Sequence, residues 1–111
     1  MAYVTQKPLN ADIAGKVRQY AAKFSNNGIA VERVYIFGSH AKHSARGDSD
    51  IDVAVVSPAF GRDTVAETQM LFKQRRSIDT RIEPYPLSPA EFDDILSPLA
   101  SEVKKHGILV S

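Results

Sequence analysis

FGSHAKHSARGDSDIDVAVV, residues 37–56, is the stretch on which the reading of this chain turns. An apolar run rich in β-branched and aromatic residues, Val31 to Phe37, stops at Gly38-Ser39, and a second, Asp50 to Val56, opens ten residues beyond Ser39. Both read as strands. Strands this close in sequence are expected side by side in one sheet, with their joined ends on a common edge. Gly38 has no Cβ, so a ligand can approach its backbone closely. The turn after it, Ser39 to His43, is expected as about one helical turn whose free N–H groups suit an anion such as phosphate, with the Ser39 hydroxyl as a further donor. Asp50 and Asp52 are two apart on a strand, so their carboxylates leave the same face. Two like charges that near would leave one protonated unless a cation sat between them. Hard oxygen ligands of this kind select Mg²⁺ or Mn²⁺. A phosphate cradle beside a divalent-metal site describes an enzyme for a nucleoside triphosphate.

Outward from this segment, helices and strands alternate, which favours an α/β or α+β layer arrangement. Asn10 caps a helix running to about Asn26, with Ile13, Val17, Tyr20, Ala21 and Phe24 at helical spacing, and Gly28 ends it as a left-handed residue. Ser44 to Ser49 reads as loop. Beyond Val56, Pro58 and Gly61 close the second strand, and Asp63 or Thr64 starts a helix reaching about Arg76. Ser77 to Tyr85 (SIDTRIEPY) reads as a third strand, its alternation placing Ile78, Thr80 and Ile82 on one face and Asp79, Arg81 and Glu83 on the other. Ser88-Pro89-Ala90-Glu91 is a capping box with proline at the first helical position. Ser97-Pro98 repeats that start signal for a last helix ending near Gly107, and Ile108 to Val110 reads as a short edge strand.

The chain has 111 residues, 43% of them hydrophobic and 24% charged, which predicts one ordinary globular domain, 1–111. Fourteen Lys and Arg against thirteen Asp and Glu leave a formal net charge of +1, so bulk positive charge does not hold the chain to nucleic acid. The absence of cysteine excludes a disulfide framework, a thiolate metal site and a cysteine nucleophile. No apolar run matches a signal peptide or a membrane span, so a cytoplasmic location is expected.

Gly-Ser, ten residues, then Asp-x-Asp, here Gly38, Ser39, Asp50 and Asp52, resembles the signature of the nucleotidyltransferase superfamily related to DNA polymerase beta. The surrounding FGSHA and ARGDSDIDVAVV are similar to its small stand-alone members, the minimal nucleotidyltransferases, and the resemblance runs from the Val31 strand to Gly107. It implies a small mixed sheet of three to four strands flanked by helices, and a third carboxylate on the next strand. Asp79 is expected to be that third ligand, completing a catalytic and metal-binding set with Asp50 and Asp52, and Glu83 is the second choice. Two-metal phosphoryl chemistry is implied, with Mg²⁺ or Mn²⁺ and ATP as the nucleotide. Gly38 and Ser39 would hold the phosphates, with Lys42 and Arg46 neutralising their charge. Larger members recognise their acceptors with added domains. Minimal members are often paired with a helical HEPN-type protein in toxin–antitoxin modules, which implies transfer of AMP to a partner hydroxyl. The competing readings are an antitoxin that neutralises its partner by binding alone, and transfer to a small molecule or an RNA end, the last disfavoured by the charge balance.

The blander readings divide as follows. Asp48 to Asp52 resembles the opening of an EF-hand, but Val53 stands where that loop needs glycine and Ala59 where it needs glutamate. His40 and His43 lack a third nitrogen or sulfur ligand and read as loop residues, with His40 near the nucleotide. His106 and Lys104-Lys105 suit a helix C-terminus. Arg75-Arg76 reads as a solvated helix end, with a nucleotide or partner contact as the alternative. Tyr3, Tyr20, Tyr35 and Tyr85 read as core or sheet residues, and Phe92, Ile95 and Leu99 as packing, or else as a partner surface.

Overall fold

A computed structural model describes residues 10–42, 45–46 and 49–111. Tyr3, His43 and the Ser44, Gly47 and Asp48 part of the 44–49 loop lie outside the described residues. The Asn10 side chain accepts from the backbone N–H groups of Asp12 (2.9 Å) and Ile13 (3.4 Å), fixing the start of α1, Ala11–Asn26. Gly28 follows its end with φ +83°. The chain then runs β1 (Arg33–Phe37), β2 (Ile51–Val56) and α2 (Thr64–Gln74), which tightens into a 3₁₀ turn over Arg75–Ser77. It continues through β3 (Ile82–Leu87), α3 (Pro89–Asp93), α4 (Pro98–His106) and β4 (Ile108–Leu109). Asp63, Ser88 and Ser97 cap α2, α3 and α4, each side chain accepting from the backbone N–H three residues on.

The four strands form one mixed sheet in the order β3-β2-β1-β4, with β1 antiparallel to β2 and β4, and β2 parallel to β3. Alternation sorts the side chains into two layers. Val34, Ile36, Ile51, Val53, Val55 and Ile82 pack with the apolar face of α1, with Leu71 of α2 and with Phe60. Phe37, Ala54, Val56 and Leu87 pack on the opposite side under Phe92 of α3 and Val103 of α4. The second layer is the decisive one for function. Asp52 and Glu83 continue the rows of Ala54 and Tyr85 on that face, and there the strands carry carboxylates in place of apolar side chains.

Three expectations need correction. The third strand begins at Ile82 and not at Ser77, so Ile78, Asp79 and Thr80 belong to the turn that precedes it. Its far end extends through Pro84 and Pro86 to Leu87, and being an edge strand it tolerates them. Ile95 does not pack: α3 stops at Asp93 and leaves Ile95 89% exposed in the link to α4, whereas Phe92 is buried. The first strand also starts later than its apolar run, at Arg33. No described helix is long and apolar enough to cross a membrane.

The α1 face of the core rests on Phe24, which is fully buried and meets the Tyr20 ring edge-on at 4.8 Å between centroids. Truncation there opens a cavity in the core on the α1 side of the sheet. Phe24→Ala is expected to cost about 3–5 kcal/mol, read as a lower urea midpoint at unchanged slope, and a loss below about 1 kcal/mol would contradict this placement of α1.

Candidate active site

The sheet register brings the signature residues together. Phe37 at the end of β1 lies opposite Asp52 near the start of β2, so the chain leaves β1 directly over the Asp52 carboxylate. Gly38 is the residue that makes the exit possible. Its φ is +69°, and a Cβ placed on it would stand 2.1 Å from Asp52 Oδ2, well inside contact distance. Beyond it Lys42 N–H bonds back to the Gly38 carbonyl at 3.1 Å, closing a single turn over residues 38–42. That is the expected turn, as far as its described residues go. The turn is tied to the far end of the loop, where the His40 Nε2–H donates to the Ser49 carbonyl at 3.2 Å.

On the other side of Asp52 stands β3. The parallel register sets Asp52 beside Glu83, and Asp50 precedes β2 by one residue, on the row that Asp52 continues. Burial pushes the Asp52 carboxyl up to about 6; the negative charges of Glu83 and Asp50 act in the same direction, and His40 opposes them. Glu83 Oε1 accepts a hydrogen bond of 3.0 Å from the Tyr85 hydroxyl. Burial, then this bond and the neighbouring carboxylates, push the Tyr85 phenol up to about 12. Tyr85, read from sequence as a sheet residue, is thus also part of the site. No sequence signal marks it beyond its position two residues from Glu83.

Asp79 is held elsewhere. Its side chain is 9% exposed, Arg81 Nη2 reaches its Oδ2 at 2.7 Å, and the Arg81 backbone N–H donates to Oδ1 at 2.9 Å. Lys16 of α1 adds a third contact at 3.3 Å. The hydrogen bond from Arg81 chiefly, with help from Lys16, holds this carboxyl well below the usual carboxylate range. The structure therefore brings together Gly38, Asp50, Asp52 and Glu83, with His40 and Tyr85, and sets Asp79 into a clamp between α1 and the turn before β3.

The basic residues of the loop are placed as follows. The Lys42 ammonium pairs with Glu102 Oε1 of α4 at 2.8 Å, a half-exposed contact that ties the turn to α4. Arg46 is exposed. Its backbone N–H donates to Ser49 Oγ at 2.8 Å and its carbonyl accepts from Ser49 N–H at 3.0 Å, a tight turn just ahead of Asp50. Among the described residues no three His, Asp or Glu side chains close around a single metal position. The donor set at the β2–β3 rim is nevertheless all carboxylate oxygen, partly withdrawn from water and carrying excess negative charge. Its chemistry fits a hard divalent cation, and a histidine-rich zinc site is not what it offers.

This arrangement is a cluster of carboxylates under a glycine turn at the rim of a small mixed sheet. A family model described as "Polymerase beta, Nucleotidyltransferase" matches residues 18–110, and the chain belongs to that family. Among solved structures it is similar to a toxin–antitoxin complex crystallised with AMP-PNP, with 21% identity, a TM-score of 0.64, and coverage of 88% of this chain and 72% of that one. A Sulfolobus solfataricus protein assigned to the nucleotidyltransferases shares 21% identity at a TM-score of 0.58, covering 96% of this chain and 90% of that one. A mutant of the MntA–HpeT toxin–antitoxin complex shares 20% identity at 0.63, covering 88% and 72%. At these identities the likeness is one of fold. No curated protein matches the chain.

The raised Asp52 carboxyl has a thermodynamic consequence. Its folded-state value of about 6 lies above the ordinary 3.8, so the stability it confers is present in full below about pH 4 and is lost as pH rises through 6. Asp52→Asn in the presence of EDTA is expected to raise the melting temperature at pH 7.5 and to converge with the wild type near pH 4. Discounted for solvent screening, the gap is on the order of 1 kcal/mol. A variant that melts below the wild type at pH 7.5 would contradict the crowding at this rim. Asp79 has the opposite sign, since its depressed value stabilises above about pH 4 and the benefit is lost on acidification.

Proposed function

We propose that this chain transfers a nucleoside monophosphate, AMP from ATP, to a hydroxyl group of a partner protein, and that the pair forms a toxin–antitoxin module with a helical, HEPN-type partner. Family membership supports the transfer chemistry. The toxin–antitoxin neighbours, one of them crystallised with AMP-PNP, support the setting and the nucleotide. The observation that carries the assignment of residues is the register of Asp52 against Glu83, with Gly38 folded over Asp52.

In this reading Asp50, Asp52 and Glu83 would hold the divalent ions, Mg²⁺ or Mn²⁺. When bound, such ions offset the triphosphate charge and lower the pKa of an acceptor hydroxyl. The third carboxylate is thereby assigned to Glu83 and not to Asp79, because both Asp79 oxygens are committed to Arg81 and Lys16. The remaining roles belong to the chain itself. Gly38 leaves room for phosphate oxygens against the backbone. Ser39, the amides that follow it and Arg46 hold the β and γ phosphates. Lys42 reaches them by leaving Glu102, an exposed pair of small net worth. The acceptor oxygen bonds to the α-phosphorus as the bond from that phosphorus to the pyrophosphate oxygen breaks. The acceptor proton passes to Glu83, the carboxylate carried by the edge strand, and from there to solvent.

The double variant Asp50→Asn/Asp52→Asn is expected to abolish labelling of the partner by radiolabelled ATP while keeping the circular dichroism of the wild type. Retained labelling would refute the assigned chemistry, and full protection of cells by the inert variant would show that binding alone neutralises the partner. Glu83→Gln is expected to lower kcat by 10²-fold or more. Asp79→Asn should stay within about tenfold in kcat and lose about 1–2 kcal/mol of stability as the clamp on α1 opens. The reverse order of kcat effects would return the third-carboxylate role to Asp79.

A further inference from the structure

Asp79 and Glu83 lie either side of the start of β3, and different chemistry holds each of them. Arg81 brings a full positive charge to Asp79 and engages both of its oxygens. Among the described residues no cation pairs with Glu83. Its Oε1 accepts instead from a neutral group, the Tyr85 hydroxyl, at 3.0 Å. A phenol donor orients a carboxylate without cancelling its charge, so Glu83 keeps the negative charge that a divalent cation needs.

The local sequence fixes that pair. Glu83 and Tyr85 are two apart on a strand, so both side chains leave the same face. Pro84 and Pro86 alternate with them. Each proline has its own φ set by its ring and biases the residue before it, Glu83 and Tyr85 in turn, to extended backbone. Tyr85 stands beside Ala54 in the β2 register, and across that small side chain its ring meets Phe37 at 5.3 Å between centroids, tilted by 59°. Phe37 pairs with Asp52 and leads directly into Gly38. Tyr85 therefore braces its hydroxyl against the strand that carries the glycine turn. That bond has repulsion to oppose, because Asp52 sits in register beside Glu83 and the two negative charges push apart. An untethered glutamate relieves such repulsion by changing rotamer.

We propose that Tyr85 is a positioning residue for the divalent-metal site, its hydroxyl holding the Glu83 carboxylate beside Asp52 so that the cation meets its third ligand already oriented. This role rests on the transfer reading above and on Glu83 as its third carboxylate. Pre-orientation acts on metal affinity, since less rotamer freedom is lost when the ion binds.

The test is titration of the full chain with Mn²⁺ by electron paramagnetic resonance, without nucleotide. Tyr85→Phe removes the hydroxyl and keeps the ring against Phe37. It should weaken Mn²⁺ binding by about tenfold, with a melting temperature in EDTA close to that of the wild type. Glu83→Gln should weaken binding at least as much, and Asp79→Asn should leave it unchanged. In Tyr85→Phe/Glu83→Gln the tyrosine change should add nothing, because its effect runs through Glu83. In transfer assays Tyr85→Phe should need about tenfold more Mn²⁺ for half-maximal rate and regain the wild-type kcat in excess Mn²⁺. Wild-type Mn²⁺ affinity in Tyr85→Phe beside weakened binding in Glu83→Gln, or a kcat loss that excess metal does not restore, would overturn the role of Tyr85 and leave the transfer reading standing. Wild-type affinity in Glu83→Gln would remove Glu83 from the metal set and this role with it. Weakened binding in both variants of a chain that labels no partner would uphold the positioning role and count against transfer.

Discussion

The carboxylate of Asp52 is the crowded point on which this architecture depends. Antiparallel pairing with β1 brings the backbone of Gly38 over it, and parallel pairing with β3 brings Glu83 beside it. Neither neighbour relieves its charge; only His40 works the other way. A fold optimised for stability alone would place an apolar side chain there, as it does at Ala54 and Val56 one and two pleats further along. Keeping an acid in a half-buried row lowers stability locally, and such departures from the core pattern mark places where a protein binds or reacts.

The elements that hold this point in place are ionic as well as apolar. Lys42 ties the turn after β1 to α4, and the Lys16–Asp79–Arg81 clamp ties α1 to the approach of β3. The two contacts differ in worth. The Lys42–Glu102 pair is half in solvent and costs little to break, which suits a side chain near a phosphate site. Asp79 is nearly enclosed and holds its partners firmly. The strand end that carries Glu83 is therefore the braced side of the rim, and the turn over residues 38–42 is the side held by the weaker pair.

How much of this was legible in the sequence depends on how local the signal is. Asn10, Gly28, Asp63, Ser88 and Ser97 act through hydrogen bonds or backbone torsions within a few residues of themselves, and each ends or begins its helix where its chemistry says it should. Gly38 and the Asp50-Ile51-Asp52 run were equally plain, because strand ends and a glycine at fixed spacing allow few arrangements. The third strand was misplaced by a competing local interaction. Asp79 and Arg81 alternate with Ile78 and Ile82 like strand residues, but the Asp79 side chain captures the Arg81 backbone N–H and curls the chain into a turn. Pro84 and Pro86 then disguise the true strand. Ile95 sits at helical spacing from Phe92, yet α3 has already ended, since the next helix needs Ser97 free as its cap.

The two prolines of β3 bear on how these molecules behave in company. β3 is an outer strand of the sheet, and its outward-facing backbone positions, 82, 84 and 86, carry one carbonyl already taken by Arg75 and two residues that lack an amide hydrogen. An extended chain arriving at that margin finds nothing to donate to it at alternate places and cannot zip on as a fifth strand. Concentrated solutions are thus protected from fibril-like growth on this flank, and anything lodging there must be gripped by its side chains, which leaves recognition to sequence rather than to backbone alone.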